Sequence, residues 1–291
     1  MLEVRNVSKG FGEKKILQGI DLTIEKGDIV GLLGKNGAGK TTLIKCINQL
    51  YCYDGSVRIS GLSYAKNPKE YLRKVGILLE PSYYDYMSAM DNLRAYASLS
   101  GVLLQNIESD LKELLVAIGL ADAMQKKVKE FSFGMKQKLG VAMALVKKPD
   151  VLVLDEPTIG VDPKGLDIMF DMLKKLAKQD EVAIIFSSNN LEEVQAISSK
   201  ISFLKDGMIV DTLATQKMLE QGNAYTIQVR NTLPQDIKAE ILQYQRCKIS
   251  QMQIFIDSVD NLNRIIKILV NTDNPILDIK RENQFLRNFY E

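Results

Sequence analysis

The segment Gly34-Lys35-Asn36-Gly37-Ala38-Gly39-Lys40-Thr41, followed by Thr42, sets glycines, a lysine and a hydroxyl at the spacing Gly-x4-Gly-Lys-Thr. Glycines let backbone N–H groups close around phosphate oxygens, while the lysine and the hydroxyl reach the terminal phosphates of a nucleotide and its magnesium ion. Such a pattern arises by chance in about one chain in a hundred of this length, which makes an accidental glycine-rich turn the weaker reading. A second chemical pair, Asp155-Glu156, follows the apolar run Val151-Leu152-Val153-Leu154. Carboxylates at the C-terminal end of a buried strand lie where doubly wound sheets take their ligands. Asp155 would hold magnesium through water, and Glu156 would orient an attacking water or accept its proton. A solvated acidic pair closing a strand is the alternative, and the pair by itself does not choose between them.

These groups need elements to position them. The apolar run Ile29 to Leu33 leads into the phosphate loop, and Leu43, Ile44, Ile47 and Leu50 after it have helical spacing. The loop therefore sits between a buried strand and the positive end of a helix. Residues 1 to about 60 otherwise read as strands, Leu2 to Val7 and Leu22 to Ile24, punctuated by Gly10, Gly12 and Gly27. From about Ser82 to Lys148 the pattern is mainly helical, with an amphipathic stretch from Asp110 to Ile118 and Gly119 as the C′ residue closing it. Strand character returns at Val151 to Leu154 and Val182 to Phe186; between them Asp162-Pro163 is an N-cap and N1 pair for a helix running to about Gln179. Strands apolar on both faces, alternating with helices, predict an α/β fold with a mostly parallel sheet.

Past about Gly222 a fresh series begins: strand Tyr225 to Val229, helix Gln235 to Gln245, strand Met252 to Ile256, helix Asn261 to Val270, and a further strand near Ile276 to Ile279. This reads as a small α+β domain over residues 221–291. Nine Lys/Arg balance eight Asp/Glu there, which suits a packing, dimerising or regulatory module better than an interaction tail.

Composition narrows the classes further. With 46% hydrophobic and 25% charged residues the chain can bury a large core, and a net charge of +2 implies no wholesale attraction to nucleic acid. Cys46, Cys52 and Cys247 are odd in number and lack metal-ligand spacing, so a reducing compartment is expected. No apolar run approaches the roughly 20 residues that span a bilayer, so membrane work would go through a partner. Histidine is absent, which removes the usual neutral-pH proton carrier.

Phe131-Ser132-Phe133-Gly134-Met135 precedes a helical run to Leu145, with Ser132 as N-cap and the helix N-terminus as a second phosphate-binding end. Standing alone, this segment would be a capped helix without a ligand. Taken with the phosphate loop and the acidic strand, in that order and spacing, residues 1 to 220 resemble the ATPase subunit of an ATP-binding-cassette transporter, with a helical subdomain at about 82–148. The resemblance implies ATP and Mg²⁺ as ligands. It places Ser132, Gly134 and Met135 against the phosphate loop of another subunit, so that two molecules, identical or related, sandwich two ATP head to tail. It assigns Phe11 to stacking on adenine, and Thr158 to Asp162 to a dimer-contacting loop with Asp162 near the nucleotide. It further implies a separate integral-membrane permease, a location on the cytoplasmic face of the cell membrane, and no nucleic-acid partner. The stretch Ser82 to Asn92, rich in Tyr83, Tyr84, Tyr86, Met87 and Met90, suits gripping a permease helix, with core packing as the alternative.

Three positions depart from the family. Glu80 stands where most relatives carry a glutamine that touches Mg²⁺, and a carboxylate can also ligate that ion. Glu80 and the Met-Lys-Gln ending of the signature resemble the bacterial branch of bacitracin- and lantibiotic-resistance pumps and phenol-soluble-modulin exporters. Phe133 replaces a glycine and Met135 a glutamine, while the Ser132 and Gly134 donors remain. Asn189 stands where the family carries a histidine on the terminal phosphate; an amide can donate there but cannot become cationic. Catalysis would then fall to Glu156, Lys40 and Asn189, with modest turnover expected. The expected function is ATP hydrolysis driving export of a toxic or antimicrobial peptide through the permease. The alternatives are a catalytically weak ATP-binding clamp or regulatory subunit, and a soluble cassette ATPase working apart from transport.

Overall fold

Ile29–Leu33 (β3), Val151–Leu154 (β7) and Ala183–Ser188 (β8) are buried at every residue, which places them inside a sheet covered on both faces. In the computed structural model these three lie side by side and parallel. They form the middle of a six-stranded sheet of order β10-β9-β3-β8-β7-β6, completed by Val75–Leu78 (β6), Lys200–Lys205 (β9) and Met208–Ala214 (β10). Only β10 runs antiparallel to its neighbour. The structure describes residues 1–102, 107–216, 224–244, 247–256, 258–272 and 274–282. The fold is α/β with a mixed, mostly parallel sheet.

A second, antiparallel sheet of order β2-β1-β4-β5 is built from Leu2–Phe11 (β1), Lys14–Ile24 (β2), Asp54–Ile59 (β4) and Leu62–Ser63 (β5). One apolar cluster, including Val4, Ile20, Leu32, Ile44, Tyr71 and Val153, joins the two sheets and the helix between them. The helices of this unit are Lys40–Ile47 (α1), Pro68–Arg73 (α2), Ala89–Leu99 (α3), Ile107–Ala117 (α4), Phe133–Leu145 (α5), Pro163–Asp180 (α6) and Leu191–Ile197 (α7). Helices α3, α4 and α5 contact one another, and α5 also lies on β6 and β7.

The caps follow local chemistry. Gly119 takes φ +74°, and the N–H groups of Gly119 and Leu120 donate to the carbonyls of Val116 and Leu115, a Schellman closure of α4. Ser132 caps α5 by accepting the Met135 N–H at 3.2 Å. Asp162 occupies the N-cap position of α6 with Pro163 at N1, but its side chain makes no capping hydrogen bond.

Some expected boundaries shift. Helix α1 stops at Ile47, because Gln49 takes a left-handed φ of 60° and turns the chain before Leu50. Strand β2 begins at Lys14, well before Leu22. The hairpin β9–β10, turning at Asp206-Gly207, was not anticipated.

Residue contacts separate Met1–Ala214 from Thr215–Glu291. The expected boundary at 220/221 lies outside the described residues, as does the expected helix end at Gln245. The second unit is an antiparallel sheet of order β12-β13-β11-β14, from Ala224–Val229 (β11), Lys248–Ser250 (β12), Gln253–Ile256 (β13) and Ile276–Glu282 (β14). Gln235–Leu242 (α8) and Val259–Val270 (α9) complete it. Its own core gathers Ile227, Val229, Ile241, Ile254, Ile265 and Leu269.

Candidate functional site

Three parallel strands end together at the site. Leu33, the last residue of β3, registers with Ser188 of β8, and Leu154, the last of β7, registers with Phe186. The phosphate loop, the Asp155-Glu156 pair and Asn189 therefore leave the sheet at the same edge.

The β9–β10 hairpin supports the loop from behind. The Gly207 N–H donates to the Ala38 carbonyl at 3.2 Å, and a Cβ on Gly34 would stand 2.6 Å from the Leu204 carbonyl oxygen. Gly39 sits at φ +112° as the N-cap of α1 and offers no side chain to the first-turn N–H groups. Those donors, on Lys40, Thr41 and Thr42, have no partner one turn back in the helix and suit an anion, whereas the Leu43 N–H already donates to the Gly39 carbonyl at 2.9 Å. Lys40 is buried, and its Nζ donates to the carbonyls of Gly34 at 2.7 Å and Lys35 at 3.3 Å, closing the loop on itself. Burial pulls its pKa below the ordinary lysine value, against the opposite pull of the Glu156 and Asp155 carboxylates.

Ser187, fully buried, organises the acidic pair. Its Oγ donates to Asp155 Oδ1 at 2.5 Å and accepts the Glu156 N–H at 2.9 Å. Glu156 itself takes the left-handed φ of 45°, and the Gln137 side chain of α5 donates to its carbonyl at 3.0 Å. Next to the pair, Asn189 Nδ2 makes a long 3.5 Å bond to Asn36 Oδ1 of the phosphate loop. Beside Asn189, the Glu193 carboxylate accepts from Thr158 Oγ1 at 2.7 Å and from Ser188 Oγ at 2.8 Å.

The remaining predicted residues lie around this edge. The exposed Phe11 ring meets Tyr51 edge-on at 5.2 Å, with Lys9 Nζ 4.8 Å over it. The Glu80 side chain is 82% exposed and lies 3.6 Å from Lys45 Nζ. Among the described residues no three His, Cys, Asp or Glu side chains gather into a metal cluster, so Glu80, Asp155 and Glu156 do not form one. The signature residues pack on the loop after the acidic pair in their own chain. A Cβ on Gly134 would stand 2.4 Å from the Gly160 carbonyl, and one on Gly160 would stand 2.4 Å from the Phe133 ring. Lys138 Nζ and Asp162 Oδ1 both crowd Gly165 in the same region.

Beside the acidic edge runs a groove of about 450 Å³, lined by Leu79, Glu80, Tyr83, Tyr84, Tyr96 and Met143 among others. The Tyr83 hydroxyl donates to the Lys136 carbonyl at 2.5 Å, tying the groove to α5. The stretch Ser82 to Asn92 divides between the two readings. Met90 and Asn92 are buried, whereas Tyr84, Tyr86 and Met87 are exposed, Tyr86 at 79%.

Sequence reasoning missed Ser187, Ser188, Glu193 and Gln137. The available signal was the pair of hydroxyls closing an otherwise apolar strand opposite a strand that ends in two acids.

The model of the family described as ABC transporter matches residues 17–159. The bacitracin transport ATP-binding protein BcrA of Bacillus licheniformis is 29% identical over 299 aligned positions, covering 100% of this chain and 96% of that protein. The BcrA of Enterococcus faecalis is 35% identical, covering 78% and 73%. The lantibiotic transport ATP-binding protein SrtF of Streptococcus pyogenes is 36% identical, covering 72% and 89%. Among solved structures, an ATP-binding subunit of an ABC transporter is 26% identical with TM-score 0.66, covering 76% of this chain and 92% of that one. A dimeric cassette bound to ADP and Pi has TM-score 0.66 at 23% identity, covering 74% and 99%, a likeness of fold.

Proposed function

This chain belongs to the ATP-binding-cassette transporter family and is an ATPase of that family, and from this premise we propose that it powers the export of a toxic or antimicrobial peptide through a separate membrane permease. The observation that carries the ATPase chemistry is the convergence of phosphate loop, acidic pair and Asn189 at the ends of β3, β7 and β8.

In this reading the Gly34 to Lys40 backbone and the α1 N-terminus hold the phosphates of ATP, and Phe11 takes the adenine. Lys40 exchanges its loop carbonyls for phosphate oxygens, so its buried charge gains a partner. Thr41 and Asp155 supply hard oxygen donors suited to Mg²⁺, with Glu80 as a further carboxylate. When bound, Mg²⁺ neutralises developing phosphate charge. Glu156, fixed by Ser187 and Gln137, orients the attacking water and takes its proton. Asn189 donates to the terminal phosphate, and Ser132, Gly134, Met135 and Asp162 serve the nucleotide of a head-to-tail partner. Glu156→Gln is expected to lower turnover at least about 100-fold while ATP binding persists. Unchanged turnover would remove Glu156 from this role.

The groove beside Glu80, with exposed Tyr84, Tyr86 and Met87, supports permease docking through the helical subdomain at the cytoplasmic face of the membrane. No described helix is long and apolar enough to cross a membrane. Co-purification with a polytopic protein should be lost in Tyr84→Ser/Tyr86→Ser at unchanged melting temperature; retention would place docking elsewhere. The peptide cargo is supported by the bacitracin and lantibiotic transport relatives. Deleting the chain should raise its host's sensitivity to such a peptide, and unchanged sensitivity across a panel would point to another cargo. The small unit at residues 221–291 suits a dimerising or regulatory role.

A further inference from the structure

A carboxylate outside the acidic pair reaches both halves of the catalytic edge. Glu193 lies in the first turn of α7, where a glutamate ordinarily bonds back to the N-cap backbone. Here the N-cap residue is served otherwise: the Asn190 N–H donates to Ser188 Oγ at 3.0 Å, and Asn190 Oδ1 accepts the Glu192 N–H at 2.9 Å. Glu193 is thereby released from capping. Its Oε2 accepts two hydroxyl donors, Thr158 Oγ1 at 2.7 Å and Ser188 Oγ at 2.8 Å, and its Oε1 lies 3.4 Å from Asn190 Nδ2. Thr158 and Ser188 are both buried, so their two bonds are partly shielded from solvent competition, while the Asn190 contact is exposed.

The donors come from two segments. Thr158 stands two residues beyond Glu156, while Ser188 and Asn190 are the immediate neighbours of Asn189. One carboxylate thus holds the side chains on either side of Asn189 and ties them to the loop that carries Glu156. Asn189 in turn reaches Asn36 in the phosphate loop.

We propose that Glu193 is a positioning residue for ATP cleavage, clamping the loop after Glu156 to the two residues that flank Asn189. An asparagine lacks the charge that would draw it to phosphate, so its amide depends on its backbone being held in place. The proposal rests on the reading of Asn189 as a donor to the terminal phosphate.

The test is steady-state ATP turnover of the full chain, with kcat normalised to ATP-binding sites, for Glu193→Ala and Glu193→Gln in wild-type, Asn189→Ala and Thr158→Val backgrounds. Glu193→Ala is expected to lower kcat about tenfold, as loosened catalytic geometry does, with KM for ATP within about twofold. Glu193→Gln, which keeps an acceptor oxygen and the side-chain volume, should recover most of the loss. In the Asn189→Ala background the amide being positioned is gone, and in the Thr158→Val background the clamp has lost one end, so in both the effect of Glu193→Ala should shrink to under about twofold. The same tenfold loss in both backgrounds would overturn the clamp, as would fewer binding sites with unchanged kcat per site, the signature of a merely structural carboxylate. Wild-type kcat in Asn189→Ala alone would refute the reading of Asn189, and the Thr158→Val background then still decides whether Glu193 positions the Glu156 loop.

Discussion

Removing one buried hydroxyl should damage both the stability of the ATPase unit and its chemistry. In Ser187→Ala the Glu156 N–H loses its acceptor and Asp155 loses a 2.5 Å donor. An unsatisfied buried N–H costs about 1–3 kcal/mol, and a hydrogen bond to a charged group contributes about 1.5–3 kcal/mol. Their sum is a ceiling, because water can replace the donor on Asp155, and a net loss of about 3 kcal/mol is expected. For a unit of this size that lowers the melting temperature by roughly 6–12 °C. Glu156 sits at φ 45°, a conformation costing about 1–3 kcal/mol that Ser187 helps to impose, so its carboxylate should relax away from the position proposed for orienting water. A displacement of that kind costs about 100-fold in kcat while leaving KM for ATP little changed. Thermal unfolding and steady-state turnover measure both effects. A melting temperature within about 1 °C of wild type, or kcat within about twofold, would refute the argument that Ser187 organises the acidic pair.

Gly160→Ala should cost about 1–2 kcal/mol from its φ of +71° plus the displacement of the Phe133 ring. In a Phe133→Gly background only the backbone part should remain, read as the shift in urea midpoint at unchanged m. Gly140→Ala would set a methyl 2.5 Å from Leu78 Cδ1 and 3.0 Å from the Tyr83 hydroxyl, filling the groove and weakening permease co-purification. Burial pushes the Cys46 thiol up from 9.0 to about 11, so the unfolded chain releases this proton first and stability falls as pH rises between those values. The loss reaches at most about 2.7 kcal/mol, and urea titrations in reductant should show a shallower alkaline limb for Cys46→Ala, with the raised Tyr71 leaving a residual slope above pH 10. Thiol labelling of the folded protein should modify the exposed Cys52 well before the buried Cys46 and Cys247.

The parts legible in the sequence were those in which one residue type has one physical use. The apolar runs of β3 and β7, the Schellman glycine at Gly119, the Ser132 cap and the phosphate loop all announce themselves locally. Strand β2 was largely missed because half its residues face solvent and Gly19, at φ +64°, interrupts its alternation. The β9–β10 hairpin is signalled by the apolar residues Ile201, Phe203 and Leu204 and by the Asp206-Gly207 turn, although Ser202 breaks the run. The site was legible where it lies in motifs and illegible where it depends on pairing. Nothing local to Glu193 points to Thr158, which is 35 residues away, and a serine in a strand shows its use only once the neighbouring strand's register is known.

The contact between Asn189 and Asn36 joins two amides, where an imidazole would gain and lose a proton near neutrality. Amides do neither. The link between phosphate loop and strand end therefore keeps one donor and acceptor pattern as the surrounding pH falls, and it cannot pass a proton along. A phosphate monoester, by contrast, gains a proton near pH 6, so a nucleotide bound here would respond to acidification where this contact does not. With no histidine anywhere in the chain, no imidazole can supply such a switch at this edge.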